Sequence, residues 1–555
     1  MNRSDRRRAG RANRRATPAA AITRADAELL LANGDLTRAE QAYRLVVATD
    51  DTDLEARAAL ADVVARREAY DEAEAILDAM RREYPDDPRP LVGLGLVRRL
   101  QGRIDEAVAE FRRALRLDAT NVVAVRGIGV CLLETDRTTE ALTWLERAFE
   151  IEPTSLQTRA FLARAYGYVD RFDDAEEIFG RFVSSNPEEV PTPYICDYLM
   201  FLVNADATDR GGALIEELES RELGEVERVA FNTNRAFYAF NRGDLEAGWK
   251  AYRATWGPSR RPNRSFDVPR WQGEDLTHKR IVCWGEQGIG DDILMASAIP
   301  DLIARAGHVE IQPEPRLASL FTRSFPDATV VPHEKRVHAD GPEHVDADFH
   351  TSMFDAASWL RPSYASFPEN DPLLVPHPTR AAYWNDRIAA LGSGLRVGLS
   401  WRSRLMTADR KRWYPPLDEW TEIFAVPGIV WINLQYDNPQ GELLDIEERY
   451  GVKIHDFHDI DLMNDFDEVA ALSSNLDVVV APSNAVSQLT AAIGTETWEL
   501  SMRGVEFYLG LDHDPWRRAK RLFLRPVDAP WGATLETVGD ALRQRQTVTP
   551  STPSN

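Results

Sequence analysis

Residues 280–300 read RIVCWGEQGIGDDILMASAIP. An apolar β-type run, RIVCWG, enters a glycine-rich turn, and the turn leads into a helical pattern. Strand, glycine turn and helix in that order open a parallel α/β sheet. Such a turn usually cradles a phosphate at the helix N-terminus. This one lacks the Lys-Ser/Thr of a phosphate-binding loop, and its glycines are not in dinucleotide-binding order. It ends on Asp291 and Asp292, two acids that would repel a phosphate. The texture persists downstream. HVEIQP, ATVVP, LRVGLSW, IVWINLQ, VKIHDF, DVVVAP and TETWEL alternate with helical stretches. These are too many strands for one small sheet, and a seam falls near residues 372–396. The pattern predicts two parallel sheets facing a cleft, with ligands at the carboxyl ends of the strands.

The residues after those strands are therefore the informative ones. LRVGLSW is followed by RSRLMTADRKRW, which supplies Arg402, Arg404, Arg410, Lys411 and Arg412. IVWINLQ, ending on Gln435, is followed by YDNPQGE. DVVVAP is followed by SNAVSQLTAAIG, a helix opening on Ser483-Asn484 and ending at Gly494. A helix mouth with basic groups beside it suits an anion such as a nucleotide diphosphate. Ser483-Asn484 also reads as a plain helix cap, and the basic run as a solvated loop.

The first half has a different rhythm. Ala39, Ala73, Ala107, Ala141 and Ala175 recur every 34 residues. Twelve residues before each stands a small residue: Ala27, Ala61, Gly95, Gly129 and Ala163. Four residues after each stands a large apolar one: Tyr43, Leu77, Phe111, Leu145 and Phe179. Small residues let two helices approach closely, and the large side chain fills the space beside them. Stacked pairs of this kind form a superhelical solenoid. Residues 22–190 resemble tetratricopeptide repeats in five 34-residue copies. Such arrays present a groove to peptides or partner proteins, or serve homo-oligomerisation. Residues 191–256 keep a helical pattern without the period. Trp249, Tyr252 and Trp256 lie at helical spacing, read as a closing helix docked on the next domain. Residues 257–279 read as a Pro/Arg-rich linker.

Bulk properties narrow the classes. A chain of 555 residues exceeds one ordinary core. Its net charge of −23 argues against nucleic-acid or anionic-membrane binding. The exception is the segment 1–21, expected as a disordered basic tail, with arginines at 3, 6, 7, 8, 11, 14 and 15. A polyanion-binding arm or a presequence is the alternative there. Residues 546–555 are expected as a second disordered tail. Cys131, Cys196 and Cys283 have no metal-type spacing, which fits a reducing compartment. No stretch has the length of a membrane span. A cytoplasmic location is expected.

The stretches GDLEAGWKAYRATW, RWQGEDLTHKRIVCWGEQGIGDDI and DVVVAPSNAVSQLTAAIG resemble bacterial proteins that join tetratricopeptide repeats to a heptosyltransferase-like glycosyltransferase domain. The likeness covers nearly the whole chain apart from its ends. It implies a GT-B fold of two Rossmann-like lobes, an acceptor lobe at 280–385 and a donor lobe at 386–545. It implies an inverting transferase that uses a nucleotide-sugar as co-substrate and no metal or other cofactor. Relatives of this type glycosylate flagellin or other proteins at Ser/Thr, with the repeats recruiting the acceptor. The arrangement is also similar to that of nucleocytoplasmic O-linked N-acetylglucosamine transferases. The resemblance makes Asp291 the general base that takes the acceptor proton. Gln287, Gly288 and Gly290 form the acceptor-side loop. Arg402, Lys411, Arg412, Gln435, Ser483, Asn484 and Gln488 fall to the donor diphosphate. Asp292 is read as the helix-start acid. Gln488 stands where relatives carry His, and Gln donates but does not titrate. KRWYP matches the family's K-x-W-P only approximately, so either Lys411 or Arg412 takes the lysine's place. A glycan- or lipid-directed transferase of the same fold, or a non-catalytic repeat scaffold, is the alternative.

Overall fold

The computed structural model describes residues 22–548, apart from 33, 186, 206, 208–209, 256–263, 287, 334–341, 369–371, 405, 503–507 and 528. The basic tail 1–21, Gln287, Trp256, the first residues of the expected linker and the last residues of the chain lie outside the described residues. The chain divides into two compact units, residues 1–165 and 166–555.

The first unit consists of antiparallel helix pairs. They are Arg24–Ala32 with Leu36–Thr49, Leu54–Arg66 with Tyr70–Glu83, Arg89–Leu100 with Ile104–Leu117, and Val122–Glu134 with Thr138–Ile151. Leu156–Gly167 begins a fifth. The repeat is written in the backbone as well as in the alanines. Gly34, Glu68, Gly102, Asp136 and Asp170 all hold positive φ, between 59° and 75°, at the turn between the two helices. The spaced alanines are buried, as are the large residues four positions on. Phe111 shows why the small positions are small. A Cβ on Gly95 would lie 2.6 Å from its ring, and one on Gly127 2.7 Å from it. Gly95→Ala must push that ring out of a packed layer, so it should cost about 1–3 kcal/mol. A lower denaturation midpoint of the repeat array checks this. An unchanged midpoint would mean the ring has somewhere else to go.

The second unit opens with the fifth repeat's second half and continues through helices Thr192–Asn204, Gly212–Ser220, Glu225–Asn241 and Leu245–Arg253. The last two form a hairpin with Gly243 at φ 76°. As expected of a closing helix, Leu245–Arg253 docks on the α/β region. Trp249 Nε1 donates to the Arg361 carbonyl at 2.7 Å, and Tyr252 packs on Phe354 with ring centres 5.0 Å apart.

Among the described residues ten strands complete the unit: β1 Arg280–Trp284, β2 His308–Gln312, β3 Thr329–Val330, β4 Phe349–Ser352, β5 Leu395–Leu399, β6 Ile429–Asn433, β7 Ile454–His455, β8 Val478–Pro482, β9 Thr497–Met502 and β10 Lys520–Arg525. They form two sheets, ordered β3-β2-β1-β4 and β10-β9-β8-β5-β6-β7, and every pairing is parallel. Strand order reverses between β1 and β4 in the first sheet and between β5 and β8 in the second. Those reversals open the crevices where a doubly wound sheet takes its ligand.

Four expectations are corrected. β4 is absent from the apolar runs because FHTS is largely polar. Its His350 accepts from Trp284 Nε1 at 3.3 Å and stacks on Phe266, and burial lowers the imidazole pKa to about 4. Residues 264–279 are pinned to the first lobe by isolated bridges and ion pairs rather than forming a free linker. Phe266 bridges to Glu343, and Arg270 pairs with the buried Asp355 at 2.6 Å. The lobe boundary at 385/386 cuts the helix Pro378–Ala389. That helix packs on the second sheet's Phe466–Ser473, where Trp384 Nε1 donates to Glu468 at 2.7 Å. The last helix, Gly532–Val548, runs past the expected end of the donor lobe at 545.

Candidate functional site

The 285–291 loop leaves β1 at the first crevice and is anchored by its acids. Glu286 accepts from Ser352 Oγ at 2.7 Å and from the Tyr252 hydroxyl at 3.3 Å. Asp292 is buried beneath the loop. A Cβ on Gly285 would stand 2.2 Å from an Asp292 carboxylate oxygen, so any larger residue there must displace that carboxylate. Asp291 is the partly exposed acid and accepts from the Gly288 N–H at 3.1 Å. The cap expected of Asp292 is thus made by Asp291 instead. The cap-type bond is Asp291's, while Asp292 is buried against Gly285.

The next helix, Ile289–Met295, meets the helix Ala485–Ala492 after β8. A Cβ on Gly290 would lie 3.5 Å from the Ala485 Cα and 3.6 Å from its nitrogen. The two strand-end motifs singled out in the sequence therefore touch. The contact is reinforced by Arg517, buried in the second sheet's loop, which donates to the Ile293 carbonyl at 3.0 Å.

That contact also changes the expected diphosphate site. The Asn484 side-chain oxygen accepts from the Val486 and Ser487 N–H groups at 2.9 and 3.2 Å. Its amide nitrogen donates to Ser400 Oγ at 3.0 Å. The N–H groups an anion would use are thus taken by the chain's own cap, with Gly290 over the first turn. Ser483 is partly buried beside them.

The other candidates separate. Gln435 is fully buried; its side-chain oxygen accepts from the Trp401 and Arg402 N–H groups at 2.9 and 3.0 Å and from Ser400 Oγ at 3.1 Å. It ties the end of β5 to β6 and does not face a ligand. Arg402 is held by Glu442 through two bonds of 2.7 Å. Lys411 is exposed at the end of the short helix Ala408–Lys411. Arg412 turns instead to Asp170, at 2.8 Å, and lies over the Phe172 ring. Its charge is paired with Asp170, which draws it away from the diphosphate role.

Gln488 is buried, and its side-chain oxygen accepts from Lys520 Nζ at 2.9 Å. Lys520 also contacts Asp514 at 2.8 Å and Glu499 at 3.1 Å. Burial opposes its charge, but the two carboxylates outweigh burial and hold its pKa above the ordinary lysine value. Because an ammonium only donates, the Gln488 oxygen must face Lys520 and its NH2 must point the other way.

Between the lobes lies a cleft of about 370 Å³. Ile289 comes from the first lobe; Tyr436, Phe466 and Val486 form its apolar wall, and Ser403 and Arg404 its polar edge. Arg316 also lines it, held by Glu314 at 2.9 Å and donating to the Met463 carbonyl at 2.9 Å. Arg404 is exposed and has no ion pair among the described residues. Arg316 and Phe466 were not singled out in the sequence; Arg316 follows β2 and could have been found by the strand-end rule.

In the first unit a shallow groove of about 160 Å³ is lined by the first helices of the second to fourth repeats, with Asp62, Arg89, Leu96 and Val123 on its surface. The three cysteines are buried, and burial pushes the Cys131 and Cys196 thiols up to about 12. Among the described residues no three His, Cys, Asp or Glu side chains are placed to hold a metal ion. No described helix is long and apolar enough to cross a membrane.

Fold and site together define a repeat solenoid followed by a two-sheet parallel α/β region with a cleft at its strand ends. Residues 30–91 and 99–155 match the tetratricopeptide repeat model, and the chain carries these repeats. It is similar to Protein FlbA of Caulobacter vibrioides, 28% identical over 565 residues covering 92% of this chain and 94% of that protein. Among solved structures it is similar to a tetratricopeptide repeat protein from Parabacteroides merdae ATCC 43184 (14% identity, TM-score 0.31, 41% of this chain and 89% of that one). It is also similar to a glycosyl transferase family 9 protein from Veillonella parvula DSM 2008 (10% identity, TM-score 0.38, 49% and 99%).

Proposed function

We propose that the α/β region is a glycosyltransferase that moves a sugar from a nucleotide-sugar to a hydroxyl of a protein acceptor recruited by the repeats. The observation that carries this reading is the convergence of the two strand-end motifs. The Asp291 helix sits against the Asn484-capped helix beside a cleft of about 370 Å³ with an apolar wall and a charged edge. An apolar wall suits a nucleobase, and Arg404 suits a diphosphate. Asp291 would take the acceptor proton as the oxocarbenium-like centre forms. Arg404, rather than the helix mouth or Arg412, would stabilise the leaving diphosphate without a metal. The acceptor would be a Ser/Thr-bearing protein; flagellin is the acceptor class the family resemblance suggests.

A panel of UDP-, GDP-, ADP- and CMP-sugars, read by thermal shift, tests the donor. A true donor raises the melting temperature through RT ln(1 + [L]/Kd). Arg404→Gln should weaken that donor about 10- to 100-fold, the worth of a charge-assisted bond, and equal affinity would remove Arg404 from the site. Transfer that persists in EDTA agrees with metal independence, and its loss overturns it.

One observation favours a second reading, a sugar-nucleotide-binding scaffold without catalysis. The helix mouth is closed by its own Asn484, and Gln488 replaces a titrating group. Transfer by the wild-type chain decides between the two.

A further inference from the structure

The Asp170 contact of Arg412 is more than a lost ligand. Asp170 sits at φ 59°, at the turn where Gly34, Gly102 and Gly243 hold the equivalent left-handed conformation. Its carboxylate pairs with two arginines, Arg412 at 2.8 Å and Arg525 at 3.0 Å. Both are almost wholly buried, with side-chain exposures of 7% and 4%. Buried cations need a counter-charge, and Asp170 supplies it to both. Arg412 is further fixed by the Phe172 ring at 4.9 Å, and its carbonyl accepts from Trp531 Nε1 at 3.2 Å.

Arg412 closes a loop that starts at Arg402. Gln435 holds the first end through the Trp401 and Arg402 N–H groups. Asp170 and Phe172, both from the fifth repeat, hold the second end. Ser403 and Arg404, the polar edge of the cleft, lie between these two anchors.

We propose that Asp170 is a positioning residue that makes the cleft loop 402–414 depend on the fifth repeat. The geometry of the polar edge is then set from the repeat side, and a change in that repeat's turn is felt at the cleft. The consequence for donor affinity rests on the function proposed above; the coupling of turn to loop does not.

The test uses the full chain. Asp170→Asn keeps the backbone preference and the shape and removes the charge, and Arg412→Gln removes the cation. Hydrogen exchange should quicken at least about tenfold across 402–414 in each variant, with β8 and the helix Ala485–Ala492 unchanged. Both break the Asp170–Arg412 contact, and Asp170→Asn also strips Arg525 of its counter-charge, so the double variant should do little more than Asp170→Asn alone. The best donor of the panel should bind the variants about tenfold more weakly. Unchanged loop exchange in both variants, or effects that add, overturns the proposal. Exchange decides the coupling whether or not a donor binds. A wild-type chain that binds no nucleotide-sugar counts against the proposed function alone.

Discussion

Asp291→Asn is expected to reduce sugar transfer about 10²- to 10⁴-fold, the range for removing a general base, with donor affinity retained. The substitution separates the proposed base role from the loop bond that the same side chain makes. Asp291 accepts from the Gly288 N–H at 3.1 Å, and an Asn oxygen can accept the same bond. The loop should therefore keep its shape while the basic oxygen is lost. Single-turnover transfer with saturating donor measures the chemical step, and thermal melting checks the fold. A melting temperature within about 1 °C of wild type would put the structural cost below ~1 kcal/mol. Undiminished transfer in Asp291→Asn would sink Asp291 as the base. Asp291→Ala, which also removes the acceptor of that bond, should lose activity and some loop order together.

The second large effect is on stability. Lys520→Met should destabilise the α/β region by about 3–5 kcal/mol, because it leaves Glu499 and Asp514 buried without their cation. Both acids are almost wholly buried, and Tyr508 donates to the other Glu499 oxygen at 2.6 Å. The loss should be read as a lower urea midpoint of the α/β transition, followed separately from the repeats because the chain has two units. Adding Glu499→Gln and Asp514→Asn to Lys520→Met should recover much of the loss, since neutral amides cost less to bury than carboxylates. A loss below about 1 kcal/mol would mean that water reaches the cluster. The same substitution frees the Gln488 oxygen. If the Gln488 NH2 serves the donor, Lys520→Met should also raise the donor Kd.

Much of the architecture is legible from local pattern. The 34-residue spacing of Ala39 through Ala175 reflects contacts within each helix pair, where a small residue on one helix faces its sequence neighbour. Such contacts leave a period that survives without coordinates. The strands of the two sheets announce themselves where they are apolar on both faces, as VVVAP and IVWIN do. β4 and β10 do not. In FHTS His350 is bonded to Trp284 and Ser352 to Glu286, and KRLFLR carries Lys520 and Arg525 into ion pairs with Glu499, Asp514 and Asp170.

The site divides along the same line. That the residues following β1, β5 and β8 matter is a consequence of chain order in a parallel sheet, and so it could be stated from the sequence. Which of them face the cleft could not. Arg402 and Arg412 are two arginines of one loop with the same chemistry. Glu442, forty residues on, takes the first, and Asp170, more than two hundred residues earlier, takes the second. Arg404 is left at the cleft by what surrounds its neighbours. Asp291 and Asp292 are equivalent as letters; one is buried against Gly285 and the other is left partly exposed at the loop. Periodicity and strand order are properties of neighbours in the chain, and the sequence alone determined them. The partner of each charge is a property of neighbours in space, where burial makes an uncompensated ion costly, and only the tertiary structure decided it.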